Sequence, residues 1–254
     1  MDTVNKVKKA LIEREVSLGA WIQIGHPAVA EVLAGAGFDW ITVDCEHSDI
    51  DVGGFSNIAR GISGTGVVPI ARVRENDTLA IRQILDAGAG GVIVPLVDTA
   101  EDAARAVAAA KYAPDGVRGF AFCRANNWGA SFDEYTATAN ENVVVVVMIE
   151  SKQAVMNIEE ILHVPGADGV FIGPYDMSGS YGVIGRTNHD SVLKACGSVL
   201  EACKKHGKAA GIHIVVPTQE VISKAIADGF TFLALGTDAV FIERAAREAL
   251  NAAR

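Results

Sequence analysis

The sequence is poor in basic residues, cysteines and aromatic residues, and each shortage excludes a class of protein. Its 22 Lys and Arg against 31 Asp and Glu give a net charge of -9, and no segment clusters basic residues, which disfavours nucleic acid as a partner. The four cysteines, Cys45, Cys123, Cys196 and Cys203, form no CxxC pair and show no zinc-site spacing, so we interpret them as reduced thiols in a cytoplasmic protein. No apolar run approaches the roughly 18 residues of a membrane span, and the N-terminus lacks the apolar core of a signal peptide, so we expect no membrane partner.

What the sequence does contain is a regular alternation of short apolar runs with Ala-rich helical stretches. Eight runs are typical of strands: 19–25, 38–44, 67–72, 91–97, 143–150, 168–174, 209–215 and 231–237. This order predicts an α/β fold with parallel strands, and eight parallel strands in 254 residues predict a (β/α)8 TIM barrel. Because aromatic residues are 6% of the chain, we expect a core of Val, Ile, Ala and Leu.

The chain contains no Pro-rich or Ser-rich linker, so we expect one domain over residues 1–254, with an N-terminal helix and a C-terminal helix used in assembly. One stretch, 116–142, is too long for an ordinary connection, and such excursions often have a role in function or assembly.

Polar residues close several of the apolar runs, where the active site of a barrel lies. Glu150 follows a fully apolar run, and Asp176 follows the next one along the chain. Two neighbouring carboxylates suit a hard divalent cation, although either one could instead cap the following helix.

Further candidates follow the second and third runs. Arg72 ends the third run, where a buried guanidinium requires either an anionic ligand or a structural ion pair. His47, beside Asp44 and Glu46, is either a general base or a surface histidine. Asp86 could orient the imidazole of His47, although its position alone indicates the end of a helix.

Several motifs together are similar to one known family. They are GAGFDWITVDCEH, PIARVREND, QILDAGAGGVIVPLV, VRGF, MIES, DGVFIGPYDMS and GTD. Over its whole length the chain resembles the HpcH/HpaI class II aldolases, which cleave 4-hydroxy-2-oxo acids into pyruvate and an aldehyde. The resemblance implies a small-molecule substrate, a divalent metal (Mg2+, Mn2+ or Co2+) and a homo-oligomer, a hexamer built as a trimer of dimers.

The resemblance also implies roles for the residues just described. Glu150 and Asp176 would bind the metal, Arg72 would contact the keto oxygen of pyruvate, and His47 with Asp86 would form an acid/base dyad.

Further roles follow from the same resemblance. Asp44 and Glu46 would support the metal-bound water and the surroundings of the dyad. The amides of Gly173, Tyr175 and Asp176 would receive the pyruvate carboxylate.

Three residues depart from the family pattern, Met148, Tyr175 and His213, and all three concern the aldehyde half of the substrate. Strand periodicity places His213 on the inner face of its strand, near the mouth of the barrel. We expect it to line the aldehyde pocket together with Trp21 and His26, and to favour polar or anionic aldehydes. A hydrogen-bonded core histidine is the alternative.

Other functions remain as alternatives. A lysine Schiff base is rejected, because no strand end carries a suitable lysine and Lys152 lies beyond the rim. An acyl-CoA lyase similar to the citrate lyase β group is disfavoured by the short chain and by the lack of a basic groove. A metal-binding barrel without catalysis is disfavoured by the complete set of candidate residues.

Overall fold

The computed structural model describes residues 5–254, and its eight strands form one closed parallel barrel in chain order. The strands are β1 (Ser17–Ile22), β2 (Trp40–Asp44), β3 (Val68–Arg72), β4 (Gly91–Val94), β5 (Val144–Ile149), β6 (Gly169–Ile172), β7 (Ala209–Ile214) and β8 (Phe232–Thr237). The helices are α1 (Lys6–Glu13), α2 (Pro27–Gly35), α3 (Val52–Gly61), α4 (Thr78–Asp86), α5 (Ala100–Ala110), α6 (Phe132–Asn142), α7 (Lys152–Met156), α8 (Ile158–Leu162), α9 (Pro174–Ser180), α10 (Asp190–His206), α11 (Gln219–Asp228) and α12 (Asp238–Ala252). The predicted TIM barrel is confirmed, with a strand in each of the eight predicted runs.

The fourth strand ends earlier than its apolar run predicts. The run continues to residue 97, but β4 ends at Val94. Leu96 has a φ of 55°. Its amide turns out of the sheet and donates a hydrogen bond to Oε1 of Glu150 at 2.7 Å. The backbone therefore leaves the sheet to contact the active-site end of β5.

The apolar core has two layers of different composition. Between the strands and the surrounding helices it consists mainly of Val, Ile, Ala and Leu, as expected. Inside the barrel it combines aliphatic residues with four aromatic ones, and the rings of Trp40 and Phe232 stack with centroids 4.1 Å apart. Gly19 leaves room for this stack, because a Cβ there would lie 2.1 Å from the Trp40 ring. The expected core of Val, Ile, Ala and Leu is therefore present, and inside the barrel the rings of Trp21, Trp40, Phe171 and Phe232 fill additional space.

Helix α1 packs against the N-terminal end of the barrel. Its apolar side chains Val7 and Leu11 belong to the interior layer. Between them in the sequence, Lys8 donates hydrogen bonds from Nζ to the Val143 carbonyl at 2.9 Å and to Asp168 Oδ1 at 2.6 Å. Burial lowers the pKa of Lys8, although Asp168 opposes that shift. The barrel is thus closed at the end opposite the expected active site.

The excursion at 116–142 contains a 3₁₀ segment (Arg124–Gly129) followed by α6. It exposes three large aromatic side chains: Phe120, Phe122 and Trp128 are 56%, 72% and 69% exposed. An aromatic patch of this kind is typical of an interface between proteins.

Helix α12 contacts the barrel only through its first turns. Asp238, at its first position, is buried and accepts hydrogen bonds from the amides of Gln23 at 3.0 Å and Ile24 at 2.8 Å. From Ile242 to the end of the helix every residue is exposed, and Ile242 and Leu250 are 55% and 51% exposed. The distal part of α12 therefore presents apolar side chains without a partner in this chain.

Across residues 5–254, no helix combines the length and the apolar character needed to span a membrane.

Candidate active site

A cavity of about 1130 Å³ extends from the C-terminal ends of β1, β3, β5, β6 and β7 into the groove between α10 and α11. Arg72 from β3, Asp176 from α9 and His213 from β7 line it, together with Trp21 from β1. The cavity continues over the ends of β6 and β7 toward the groove between α10 and α11. The structure therefore brings several predicted site residues to one end of the barrel.

Arg72 lies at the centre of this site and pairs with two carboxylates. Its Nε and Nη2 donate to the two oxygens of Asp44, at 3.0 and 2.5 Å, and Nη1 lies 3.2 Å from Oε2 of Glu46. The guanidinium carbon lies 5.2 Å from the centre of the Trp21 ring. The structural ion pair that the sequence left open is therefore present, and it fixes the orientation of the guanidinium. Two of the five N–H groups of this arginine donate to Asp44, and the other three make no hydrogen bond within residues 5–254, so they can donate to a ligand.

Asp44 is fully buried and acts as the anchor of this end of β2. Besides Arg72, it accepts hydrogen bonds from the Gln23 side chain at 3.1 Å and from the amides of Glu46 and His47. Burial alone would raise the pKa of Asp44, but Arg72, His47 and Gln23 together hold it below its usual value. The carboxylate is therefore ionised and is occupied by partners within the protein.

Glu150 is a buried carboxylate with few hydrogen-bond donors around it. Its exposed fraction is 6%, and the Leu96 amide is its hydrogen-bond donor. Burial raises the pKa of Glu150 to about 7, and the nearby charges of Glu46 and Asp176 add to this shift. Glu46, Glu150 and Asp176 are therefore close enough for their negative charges to interact, and Arg72 opposes that effect.

The turn after β6 is shaped around Glu150. A Cβ on Gly173 would lie 2.9 Å from Cβ and 3.1 Å from Oε2 of Glu150, so glycine allows the two strands' ends to approach. The Gly173 amide donates to the Ile149 carbonyl at 3.1 Å, so the prediction that it receives a substrate carboxylate is wrong. The amides of Tyr175 and Asp176 have no hydrogen-bond acceptor among residues 5–254.

A divalent cation fits the chemistry of this region. A hard cation prefers carboxylate oxygens, and its charge would offset both the burial that raises the pKa of Glu150 and the smaller effect of the neighbouring charges of Glu46 and Asp176. Across the described residues, no group of three or more His, Cys, Asp or Glu side chains is arranged to hold a metal ion. Glu150 and Asp176 would therefore hold a cation with two carboxylates and leave its other positions to substrate and water.

His47 and Asp86 lie apart within one chain. The His47 side chain is 59% exposed, and its Nε2 lies 3.7 Å from Glu46. Asp86 ends α4, which runs from the active-site end of the barrel to the opposite end. There it accepts a hydrogen bond from the buried Arg118 at 2.8 Å. The predicted dyad is therefore not formed inside a single chain.

The aldehyde-side residues are placed partly as predicted. His213 points into the barrel and stacks on Trp21, with ring centroids 5.1 Å apart. His26 does not line the cavity. Its Nδ1 accepts a hydrogen bond from the Ala28 amide and caps α2, so the prediction that it approaches the pocket was wrong.

Two residues of the site region, Gln23 and Asp238, were missed in the sequence, and so was Arg118, which holds Asp86 at the opposite end of the barrel. Gln23 lies two positions after Trp21, and strand periodicity could have placed both on the inner face. Asp238 and Arg118 stand in the GTD and VRGF motifs, but their partners lie far away along the chain. Only the folded chain shows that Asp238 binds the amides after β1 and that Arg118 binds Asp86.

Comparison with known proteins agrees with this geometry. The family model described as HpcH/HpaI aldolase/citrate lyase matches residues 17–245. A 5-keto-4-deoxy-D-glucarate aldolase from Shigella dysenteriae is 36% identical over 234 residues, which cover 92% of this chain and 91% of the relative. The relative of the same name from Klebsiella pneumoniae is 37% identical over the same share of each chain.

Solved structures give the same result. An HpcH/HpaI aldolase/citrate lyase family protein from Burkholderia cenocepacia superposes with a TM-score of 0.94 at 34% identity, covering 99% of this chain and 100% of that one. An HpcH/HpaI aldolase from Desulfitobacterium hafniense superposes with a TM-score of 0.88 at 26% identity, covering 97% and 95%. The chain therefore belongs to the HpcH/HpaI aldolase/citrate lyase family, and it is an enzyme of the metal-dependent class II aldolase type.

Proposed function

We propose that this enzyme reversibly cleaves 4-hydroxy-2-oxo acids into pyruvate and an aldehyde. The observation that carries the proposal is that an oriented guanidinium, Arg72, lies near two further carboxylates, Glu150 and Asp176, at one end of the barrel. In this reaction the bond between C3 and C4 breaks and its electron pair stays on C3. The negative charge that develops on the pyruvate half requires positive charge around the keto oxygen.

Each residue has a role in this proposal. Arg72 donates its remaining N–H groups to the keto oxygen, and Asp44 holds the guanidinium in that orientation. The amides of Tyr175 and Asp176 bind the pyruvate carboxylate. A divalent cation held by Glu150 and Asp176, with Mg2+, Mn2+ or Co2+ as candidates, supplies further positive charge for the enolate.

Proton transfer is assigned to His47. In cleavage its imidazole takes the proton of the C4 hydroxyl group and then delivers it to C3 of the enolate, which gives pyruvate. In the synthetic direction it removes a methyl proton from pyruvate and supplies it to the oxygen of the new hydroxyl group. Glu46, 3.7 Å from His47, contributes negative charge beside the imidazole and an ion pair to Arg72.

A neighbouring copy of the chain is part of the proposal, because Asp86 can reach His47 only from another subunit. Asp86 lies close to the excursion with the exposed aromatic residues Phe120 and Phe122, and its carboxylate is held by Arg118. We propose a hexamer in which this face covers the His47 side of the next barrel. The unpartnered distal part of α12 adds a second contact surface.

The proposal also covers the domain organisation and the cellular location of the protein. Residues 1–254 form one domain, in which the C-terminal helix serves assembly. The four unpaired cysteines favour a cytoplasmic location.

The test is aldol addition of pyruvate to a panel of aldehydes before and after chelation. We expect chelation to abolish activity and Mg2+, Mn2+ or Co2+ to restore it. The competing mechanism, a lysine Schiff base, predicts that borohydride traps pyruvate on the chelated enzyme. Full activity without metal, combined with such trapping, would contradict the proposal.

A further inference from the structure

The aldehyde end of the cavity contains an imidazole that is fixed by two contacts. The ring of His213 lies nearly parallel to Trp21, at an interplanar angle of 16°. Its Nε2 lies 3.1 Å from the carbonyl oxygen of Gly236. The stack fixes the plane of the imidazole, and the contact with the carbonyl fixes which edge faces β8.

The Gly236 carbonyl reaches this position because of a bulge in β8. Between two successive pairs with β1, β8 contains one residue more than β1. Gly236 has a φ of 68°, and a Cβ there would lie 2.5 Å from the ring of Phe241. A glycine at a bulge can adopt this left-handed conformation without strain, and the carbonyl is thereby turned toward His213.

The contact determines where the proton of the imidazole lies. A carbonyl oxygen can only accept a hydrogen bond, so Nε2 of His213 carries the proton. Burial, opposed by the Gly236 carbonyl, lowers the pKa of His213 to about 4, so the ring is neutral near pH 7. Its Nδ1 therefore presents a lone pair. Within residues 5–254, Nδ1 has no hydrogen-bond partner, and it is not shut off from solvent.

The position of His213 relative to Arg72 indicates which half of the substrate its lone pair faces. Trp21 contacts both His213 and Arg72, at 5.1 Å between ring centroids and 5.2 Å to the guanidinium carbon. In the proposed function, on which this step rests, Arg72 contacts the keto oxygen, so His213 faces the half of the substrate that leaves as the aldehyde. We infer that Nδ1 of His213 accepts a hydrogen bond from a hydroxyl group beside the aldehyde carbon, so that the enzyme selects hydroxyaldehydes.

The sequence predicted a preference for polar or anionic aldehydes, and the lone pair on Nδ1 favours hydroxyaldehydes over anionic ones. An imidazole that donates a hydrogen bond, or carries a charge, would favour anionic aldehydes. A lone pair instead repels a carboxylate and rewards a hydroxyl donor. The Arg72 guanidinium does not reverse this preference, because Asp44 and Glu46 already pair with it.

The test compares aldehydes of nearly equal size in aldol addition to pyruvate. Glycolaldehyde and propanal differ by a hydroxyl group in place of a methyl group. Methoxyacetaldehyde keeps the oxygen but lacks the donor, and glyoxylate carries a carboxylate. We expect kcat/KM for glycolaldehyde to exceed that for each of the other three by about tenfold or more, since one buried hydrogen bond distinguishes them.

Variants of His213 examine the role of the nitrogen. His213→Phe keeps a ring on Trp21 and removes the acceptor, so the ratio of kcat/KM for glycolaldehyde over propanal should fall to about 1. His213→Gln offers a carbonyl oxygen and should recover part of the preference. The control is His163→Phe at the opposite end of the barrel, where an exposed histidine is replaced and the parent ratio should persist.

Contrary results would separate this inference from the proposed function. A parent enzyme that exchanges the methyl protons of pyruvate in D2O but ranks the four aldehydes equally would overturn the inference alone. A His213→Phe variant that keeps the parent ratio of kcat/KM for glycolaldehyde over propanal would also overturn the inference alone. If that variant does not fold, the ranking of the four aldehydes by the parent and the ratio in His213→Gln test the inference instead. A parent enzyme with neither exchange nor addition would overturn the proposed function and this inference with it.

Discussion

Asp44 binds Arg72 through both oxygens of its carboxylate, accepting from Nε at 3.0 Å and from Nη2 at 2.5 Å. Such a two-point contact fixes the plane of the guanidinium as well as its position. Because Asp44 is fully buried and Arg72 is at the cavity wall, the pair connects the packed core to the ligand space. The geometry of the cationic group is therefore set before any substrate binds.

The first prediction concerns this pair. In Asp44→Asn the bidentate ionic contact is lost while the side chain keeps its shape, so Arg72 becomes free to reorient toward Glu46. The loss of charged hydrogen bonds worth about 1.5 to 3 kcal/mol corresponds to roughly a 10- to 100-fold fall in kcat/KM. Arg72→Lys should fall at least as far, because lysine cannot make two parallel contacts. The control is Glu13→Gln, which removes an exposed carboxylate of α1 and should leave kcat/KM unchanged. If steady-state kinetics give Asp44→Asn the same kcat/KM as this control, the positioning role of Asp44 is rejected.

The second prediction concerns stability at the closed end of the barrel. Lys8→Met removes the cation from a pair whose side chains are both 8% exposed, which leaves Asp168 buried without its partner. Removing one member of a buried pair costs about 3 to 5 kcal/mol of unfolding free energy. Lys9→Met, one position along the same helix, removes an exposed lysine and should change stability little. Urea unfolding of the two variants measures this difference, and equal midpoints would show that the buried pair does not stabilise the fold.

The third prediction concerns the pH dependence of stability. The pKa of His213 is lowered from 6.5 to about 4 in the folded protein. Between these values the unfolded chain binds a proton that the folded chain does not, so the contribution of His213 lowers the unfolding free energy as the pH falls through this window. Above pH 6.5 the group is neutral in both states and contributes no pH dependence.

Measurements of unfolding free energy from about pH 7 to about pH 4.5 test this assignment. As the pH falls, the unfolding free energy should decrease less steeply in His213→Phe than in the parent, whereas His163→Phe should show the same pH dependence as the parent. Identical slopes in the parent and His213→Phe would mean that the imidazole titrates freely and is not held neutral by its surroundings.

The fourth prediction concerns assembly. If Asp86 of one copy serves His47 of another, variants at the two positions are each inactive but complement each other. His47→Gln and Asp86→Asn oligomers, mixed under conditions of subunit exchange, should yield activity that neither has alone, because some mixed sites contain both native residues. Sedimentation of the parent should show an oligomer. A monomer that is fully active, or mixtures that stay inactive after proven exchange, would rule out a shared site.

The sequence determines the strands well, because a buried parallel strand requires an uninterrupted apolar run and each run ends where polar residues meet the cavity. Glu150 and Arg72 could be placed from this rule, and the inward direction of His213 could be placed from strand periodicity. The contacts between segments that are distant along the chain could not be predicted from the sequence. The Arg118–Asp86 pair depends on how the excursion folds, and the bulge at Gly236 depends on Phe241 of α12.

His26 illustrates a different source of error. Its position just after β1 indicated proximity to the cavity, but a residue directly before Pro27 at the start of a helix has a local alternative, the cap of that helix. The Ala28 amide two residues later provides that partner, so the local contact determines where the imidazole points.

The most direct test of the account is exchange of the methyl protons of pyruvate in D2O, without any aldehyde, as a function of added metal. The reaction isolates enolate formation, the step that Arg72, Glu150 and Asp176 are proposed to assist. We predict that the metal-free parent exchanges slowly, that Mg2+, Mn2+ or Co2+ accelerates it in a saturable manner, and that Glu150→Gln abolishes this response while Glu160→Gln, in α8, retains it. Exchange that is equally fast without metal, or a metal response that survives in Glu150→Gln, would contradict the central claim.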